Sequence, residues 1–273
     1  MKIALFQMTA GIDPAHNADA LVDAIEAAAS AGAAMIFTPE MSGLLDSNRQ
    51  RARAHIRSED EDHVLDAVCA AARRAGIWVH LGSLALQGGE KLANRGFVID
   101  GQGTIKARYD KQHLFDVDLP TGESWRESSA YGAGQRSVIA TTPVGALGVS
   151  ICYDIRFGAL YQALSNAGAE ILSIPAAFTV PTGEAHWHVL LRARAIENAC
   201  WVVAAAQTGQ HEDGRQTFGH SLVVDPWGDI VLDMGKDPGL GFADIAPARV
   251  QEVRGRVPVI AHRRPIPPVE FAS

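Results

Sequence analysis

Three reactive or charged side chains stand where apolar runs end: Glu40, Lys111 and Cys152. In the stretch Val144–Phe157, VGALGVSICYDIRF, Leu147, Val149 and Ile151 read as a buried strand that stops at Cys152. From Asp154 onward Phe157, Leu160, Tyr161 and Leu164 recur at helical spacing. A cysteine at such a turn has its sulfur at a sheet rim, near helix N–H groups whose partial positive charge favours thiolate. Taken alone, Cys152 reads as readily as a small core residue, Glu40 as a cap or surface acid, and Lys111 as a solvated lysine. Together they supply what acyl transfer requires: a nucleophile, a base and a cationic donor for the oxyanion. Open α/β sheets form sites outside the carboxyl ends of their strands, so three strand ends can converge.

The elements that must position them follow from periodicity and turn residues. Residues 2–8 read as a first strand. Asp13 caps a helix opening at Pro14, with Ala18, Leu21, Val22, Ile25 and Ala29 on one face and Gly32 as its stop. Ala33–Phe37 is a strand running into Thr38-Pro39-Glu40. Ser58 and Glu61 form a capping box for a second helix that ends at Gly76. Strands follow at Ile77–Leu84, Leu92–Ile99 and Thr104–Tyr109, the last two joined by an Asp100-Gly101 hairpin. A loop occupies Gln112–Gly134, with one strand between it and Pro143. Beyond the helix that follows the Cys152 turn, the elbow helix, come strand Glu170–Ile174, helix Glu184–Ala199 with Val189, Ala193 and Ile196 inward, and strand Cys200–Ala206. The chain closes with a hairpin of Ser221–Val224 and Asp229–Asp233 and a strand Gly241–Ile245. Strand–helix–strand occurs early and again late with no Gly/Ser/Pro linker between, which predicts two similar halves in one α/β sandwich and a single domain over residues 1–273.

Composition narrows the class. A hydrophobic content of 47% with 20% charged residues is that of a globular chain. The net charge of −7 and the lack of a basic, aromatic-rich cluster argue against a nucleic-acid surface. Arg254, Arg256, Arg263 and Arg264 read as a solvated face or subunit contact. Cys69, Cys152 and Cys200 are too scattered for a disulfide framework, and Cys69 and Cys200 read as packing residues. The N-terminal apolar run is too short for a signal-peptide core and Ala199–Ala206 too short to span a membrane. The expectation is a cytoplasmic protein without membrane contact.

Three segments, TPEMSG at Glu40, YDKQHLFDVDLP at Lys111 and GVSICYDIRFG at Cys152, resemble the nitrilase, or carbon–nitrogen hydrolase, superfamily, and the likeness runs along nearly the whole chain. The resemblance implies a four-layer α-β-β-α sandwich that pairing of subunits extends, commonly as a homodimer across the elbow helices. It implies a Glu40–Lys111–Cys152 triad with a second glutamate near the thiol; of Glu123 and Glu127, Glu127 matches the spacing better. Glu40 would take the thiol proton as Cys152 attacks an amide, Lys111 and the Tyr153 N–H would hold the oxyanion, and loss of ammonia would leave a thioester for water to hydrolyse. No metal or cofactor is implied, and His186 and His188 diverge on a helix rather than pairing on an ion.

True nitrilases carry Trp-Glu after the nucleophile, whereas Tyr153-Asp154 here points to amides. CYDIRF, AFTVPTGEAHWHVLLRARAIEN, AAQTGQHEDGRQTFGHS and VVDPWG resemble the Nit group of small amidases, on the side that hydrolyses deaminated glutathione. The alternatives are an ω-amidase acting on α-ketoglutaramate or α-ketosuccinamate and, more distantly, a binding protein that keeps the fold without turnover. Both amidase readings take anionic substrates. Arg156 is accordingly the candidate for a substrate carboxylate, beside an ion-pair reading with Asp154 or Glu197. Phe178, Thr182 and His186 are candidates for the pocket wall, and Trp187 for the core.

Overall fold

In this computed structural model residues 1–119 and 122–272 are described; Pro120 and Thr121 of the predicted loop and the final Ser273 lie outside the described residues. The chain opens with β1 (Lys2–Gln7), α1 (Pro14–Ser30), β2 (Met35–Phe37), the short α2 (Arg49–Arg53) and α3 (His63–Ala75). It continues through β3 (Trp78–Gly88), β4 (Lys91–Ile99), β5 (Ile105–Asp110) and a small hairpin of β6 (Asp116–Asp118) and β7 (Ser124–Arg126). The second half runs β8 (Val138–Thr142), β9 (Gly145–Val149), α4 (Gly158–Asn166), β10 (Ile171–Ser173), α5 (Val180–Asn198) and β11 (Trp201–Ala204). Then come a hairpin of β12 (Thr208–Gln210) and β13 (Gln216–Phe218), β14 (Leu222–Val224), β15 (Ile230–Asp233), β16 (Gly239–Asp244) and α6 (Pro247–Arg256).

Two six-stranded sheets result, ordered β16-β1-β2-β3-β4-β5 and β15-β14-β11-β10-β9-β8. Each has three parallel central strands flanked by antiparallel ones. Alternation along β1 shows the layering: Ile3 and Leu5 join the core shared with Leu147, Val149 and Val203 of the other sheet, while Ala4 joins the core under Leu21 and Ile25 of α1 and Val68 of α3. On the far side Leu160 and Leu164 of α4 and Leu191 of α5 cover the second sheet, and Gly148 leaves room for Leu164 to lie on it. The order is therefore helix, sheet, sheet, helix, as the resemblance implies.

Several local expectations change. The cap of α3 is Asp62, whose carboxylate accepts the Leu65 N–H at 2.9 Å; Ser58 instead bonds Glu61 at 3.0 Å across a separate 3₁₀ turn. The loop between β4 and β5 is longer than a two-residue hairpin, because the Asp100 carboxylate gathers the N–H groups of Gln102 and Thr104. Helix α5 begins at Val180 and turns a different face inward. Val189 is 68% and Ile196 49% exposed, while Trp187, Leu191, Ala195 and even Arg194 are buried. Apolar residues lie all round this helix, so periodicity could not choose its face. Arg256 and Arg264 are exposed, but Arg254 and Arg263 are not simply solvated. Arg254 donates to the carbonyls of Ala169 and Ala199, and Arg263 to those of Gln162 in α4 and of Glu197 in the last turn of α5, where carbonyls lack helical partners.

Candidate active site

Glu40 follows β2 in a turn pressed against β3. Ser83 N–H donates to the Pro39 carbonyl at 3.3 Å, and the Ser83 hydroxyl accepts the Met41 N–H at 3.0 Å. A Cβ on Gly82 would collide with the carbonyls of Thr38 and Pro39, so only glycine permits this approach. Lys111 leaves β5 with its N–H on the Asn94 carbonyl at 3.0 Å. Cys152 opens a 3₁₀ turn, not an α-helix, and has φ 49°, the left-handed region costly for any residue but glycine. Its N–H donates to the Pro175 carbonyl at 2.8 Å, which ties the elbow to the end of β10.

These three ends meet. Lys111 Nζ donates to Glu40 Oε1 at 2.9 Å and to Glu127 Oε2 at 2.8 Å. Asn94 Nδ2 bonds the same two carboxylates at 2.9 and 3.2 Å, and Ala177 N–H donates to Glu40 Oε2 at 2.9 Å. Cys152 is close enough to the Glu40 carboxylate for each to shift the other's proton affinity. Glu40, Lys111 and Cys152 are 4%, 2% and 7% exposed. Glu127 reaches Lys111 because Phe115 N–H holds its carboxylate at 2.7 Å, whereas Glu123 is exposed at the cavity rim.

Charge assigns the resting protonation. Burial pushes the Glu40 carboxyl up, but the Lys111 charge and hydrogen bonds from Lys111, the thiol and Ala177 hold it below its ordinary value. Burial works against the Lys111 charge, yet Glu127 and Glu40 keep its ammonium well above the ordinary range. The Cys152 thiol moves well above its usual value, first through burial and then through the Glu40 charge. The expected thiolate-favouring effect of a helix N-terminus is thus overridden: at rest the cysteine is neutral and faces an ionised base.

A cavity of about 1010 Å³ opens over the thiol. Tyr153, Phe178 and Thr182 line it, with Phe115, Trp125 and Arg215. Arg156 and His186 are not part of its lining, and neither Asp154 nor Glu197 pairs with Arg156. The Arg156 guanidinium lies over the Tyr153 and Phe178 rings, 5.8 and 5.5 Å from their centroids, and 3.3 Å from His186 Nδ1. The 3₁₀ turn explains the shift, since three residues per turn carry the fourth residue after Cys152 about a third of a turn past it.

Sequence reading missed Asn94, Arg215 and the positioning role of Asp154. Asn94, a polar residue inside a strand, was the one readable signal. Asp154 is fully buried and accepts from Tyr109 Oη at 2.7 Å, Ile151 N–H at 2.9 Å and His113 N–H at 3.0 Å, with His113 Nδ1 at 2.7 Å. It binds the strand that delivers Lys111 to the turn that presents Cys152. Arg215, pinned by Asp213 at 2.7 Å over the Trp125 ring, adds a cation to the cavity wall.

A two-sheet sandwich with a cysteine, two glutamates and a lysine at its strand ends defines a class of enzyme that acts on acyl carbon. The chain belongs to the carbon–nitrogen hydrolase family, whose profile matches residues 2–255. It is a hydrolase of carbon–nitrogen bonds other than peptide bonds. A deaminated glutathione amidase of Yersinia enterocolitica is 41% identical over 96% of this chain and 93% of its own. One from Bos taurus is 40% identical over 96% and 82%. Among solved structures, Caenorhabditis elegans NitFhit superposes with a TM-score of 0.89 at 40% identity, covering 96% of this chain, which spans 65% of that one. Saccharomyces cerevisiae Nit3, described as a member of branch 10 of the nitrilase superfamily, gives 0.86 at 27% identity over 97% and 96%.

Proposed function

We propose that the chain is a cysteine-dependent amidase for a small anionic substrate, deaminated glutathione first, working through a thioester with Glu40, Lys111 and Cys152 as its triad. The observation that carries this reading is the convergence of buried Glu40, Lys111 and Cys152 on one cavity, with Lys111 Nζ bonded to Glu40 at 2.9 Å and to Glu127 at 2.8 Å. Glu40 takes the thiol proton as Sγ attacks the amide carbonyl. Of the three Lys111 ammonium protons, Glu40 and Glu127 engage two, which leaves one for the oxyanion. The Tyr153 N–H, with no acceptor among the described residues, supplies a second donor, each worth on the order of 3 kcal/mol. Protonated Glu40 returns its proton to the departing amine. It then activates the water that opens the thioester, with Glu127 and Asn94 holding the lysine and base in place.

The names of the relatives and the cavity volume both favour a substrate of tripeptide size over a five-carbon keto-acid amide. The substrate also decides the leaving group. Ammonia belongs to the ω-amidase reading, whereas the γ-amide of deaminated glutathione releases cysteinylglycine. Comparing kcat/KM for deaminated glutathione and α-ketoglutaramate tests the choice, and a large preference for the latter overturns it. Cys152→Ala abolishes turnover with the fold intact; full activity in that variant rejects the mechanism. The same reading pairs two copies across α4 and α5, where Val189 and Ile196 are exposed. Among the described residues no helix is long and apolar enough to cross a membrane.

A further inference from the structure

A second cluster of ionisable side chains, separate from the triad, joins three elements: His188 on α5, His220 in the turn before β14, and Asp233 at the end of β15. Asp233 Oδ2 lies 2.9 Å from His188 Nε2, and Oδ1 lies 2.8 Å from His220 Nδ1. One ligand atom from each residue lies within 4.8 Å of the other two. We propose that this trio is a binding site for a divalent transition metal of the zinc type.

The donor set argues for that class. Two imidazole nitrogens and a carboxylate suit zinc and its neighbours, whereas magnesium and calcium take oxygen ligands. Ligand atoms around an ion at about 2.1 Å stand roughly 3.0–3.4 Å apart, so around a carboxylate binding through both oxygens the two His–Asp edges open by a few tenths of an ångström, while the His–His edge, within 4.8 Å, closes onto the ion. Metal binding needs the lone pair of each facing nitrogen. His188 Nδ1 and His220 Nε2 have no protein partner among the described residues, so the ring proton can move there when the ion enters.

The cluster is also held in place before any ion arrives. His220 has φ 56°, outside the range most residues adopt. It is fixed by its N–H on the Gly235 carbonyl at 2.6 Å, by Trp187 Nε1 on its own carbonyl at 2.9 Å, and by stacking on Phe218 at 4.5 Å between centroids. Gly235 N–H holds Asp233 Oδ1 at 2.9 Å. An ion here would clamp α5 to β15 and to Phe218, whose neighbours Gln216 and Thr217 line the active-site cavity.

The test is calorimetric titration of chelator-treated Cys152→Ala protein with Zn²⁺, a background that removes the nucleophilic thiol as a competing ligand. The expected result is one saturable site per chain and a raised unfolding temperature at saturation. His188→Gln and Asp233→Asn should each weaken binding by more than the roughly 10–100-fold that loss of an outer hydrogen-bond partner costs. His188→Gln and Asp233→Asn proteins that unfold at the parent temperature without metal show that lost binding reflects lost ligands. Absence of saturable binding, or binding unchanged in both variants, overturns the proposal.

Discussion

At the residue scale the site is a neutral thiol followed by alternating charges, Glu40 to Lys111 to Glu127, with Asn94 bridging the two acids. Glu40→Gln keeps the hydrogen-bonding shape but removes the proposed base, so kcat should fall by roughly 10²–10⁴-fold in a steady-state assay. The stability of this cluster has a definite pH window. Glu40 is held below its ordinary 4.5, so its contribution is present above 4.5 and lost as pH falls through the folded value. Lys111 is held well above 10.5, so its contribution is full below 10.5 and lost only as pH rises through the folded value. Urea unfolding of Glu40→Gln should therefore lose less stability than the parent on acidification below 4.5. Strain at Cys152 yields a second expectation. Cys152→Gly relieves the φ of 49° and should be more stable than Cys152→Ala by about 1 kcal/mol in denaturant midpoints, both being inactive.

At the element scale, four strand ends and one 3₁₀ turn must be held in register, and Asp154 does most of this. Its carboxylate gathers donors from β5, from the loop after Lys111 and from the elbow itself. Asp154→Asn places an amide N–H₂ among those donors. It should destabilise the fold by roughly 1–3 kcal/mol and lower kcat more than it raises KM, because Cys152 and Lys111 lose alignment while the cavity wall persists. Arg156 shows how element type changes placement: an α-helix after Cys152 would have kept it nearer the thiol's side, whereas the 3₁₀ turn carries it onto the aromatic rings.

At the scale of the whole molecule the two sheets share one core, with Ile3, Phe37, Val149 and Val203 in the same cluster, and β16 returns from the second half to pair with β1. We propose on this ground that the chain folds as a single unit. Fluorescence and far-ultraviolet circular dichroism should report one coincident unfolding transition, and two separated transitions would reject it.

Much of this was legible before the structure. Strand ends at Glu40, Lys111 and Cys152, the Asp13 cap, the Gly76 stop and the hairpin around Asp225–Gly228 follow from local periodicity and turn chemistry, which neighbours in the chain determine. The inward face of α5, the grip of Arg263 on two helix ends, the Asn94 bridge and the gathering of His188, His220 and Asp233 depend on residues far apart in the chain. Only packing of one sheet on the other decides those contacts. The same holds for the chemistry. Residue types alone named a thiol, a base and a cation, but burial beside an ionised Glu40 decided that the thiol rests protonated, because desolvation and a nearby negative charge both act against the thiolate.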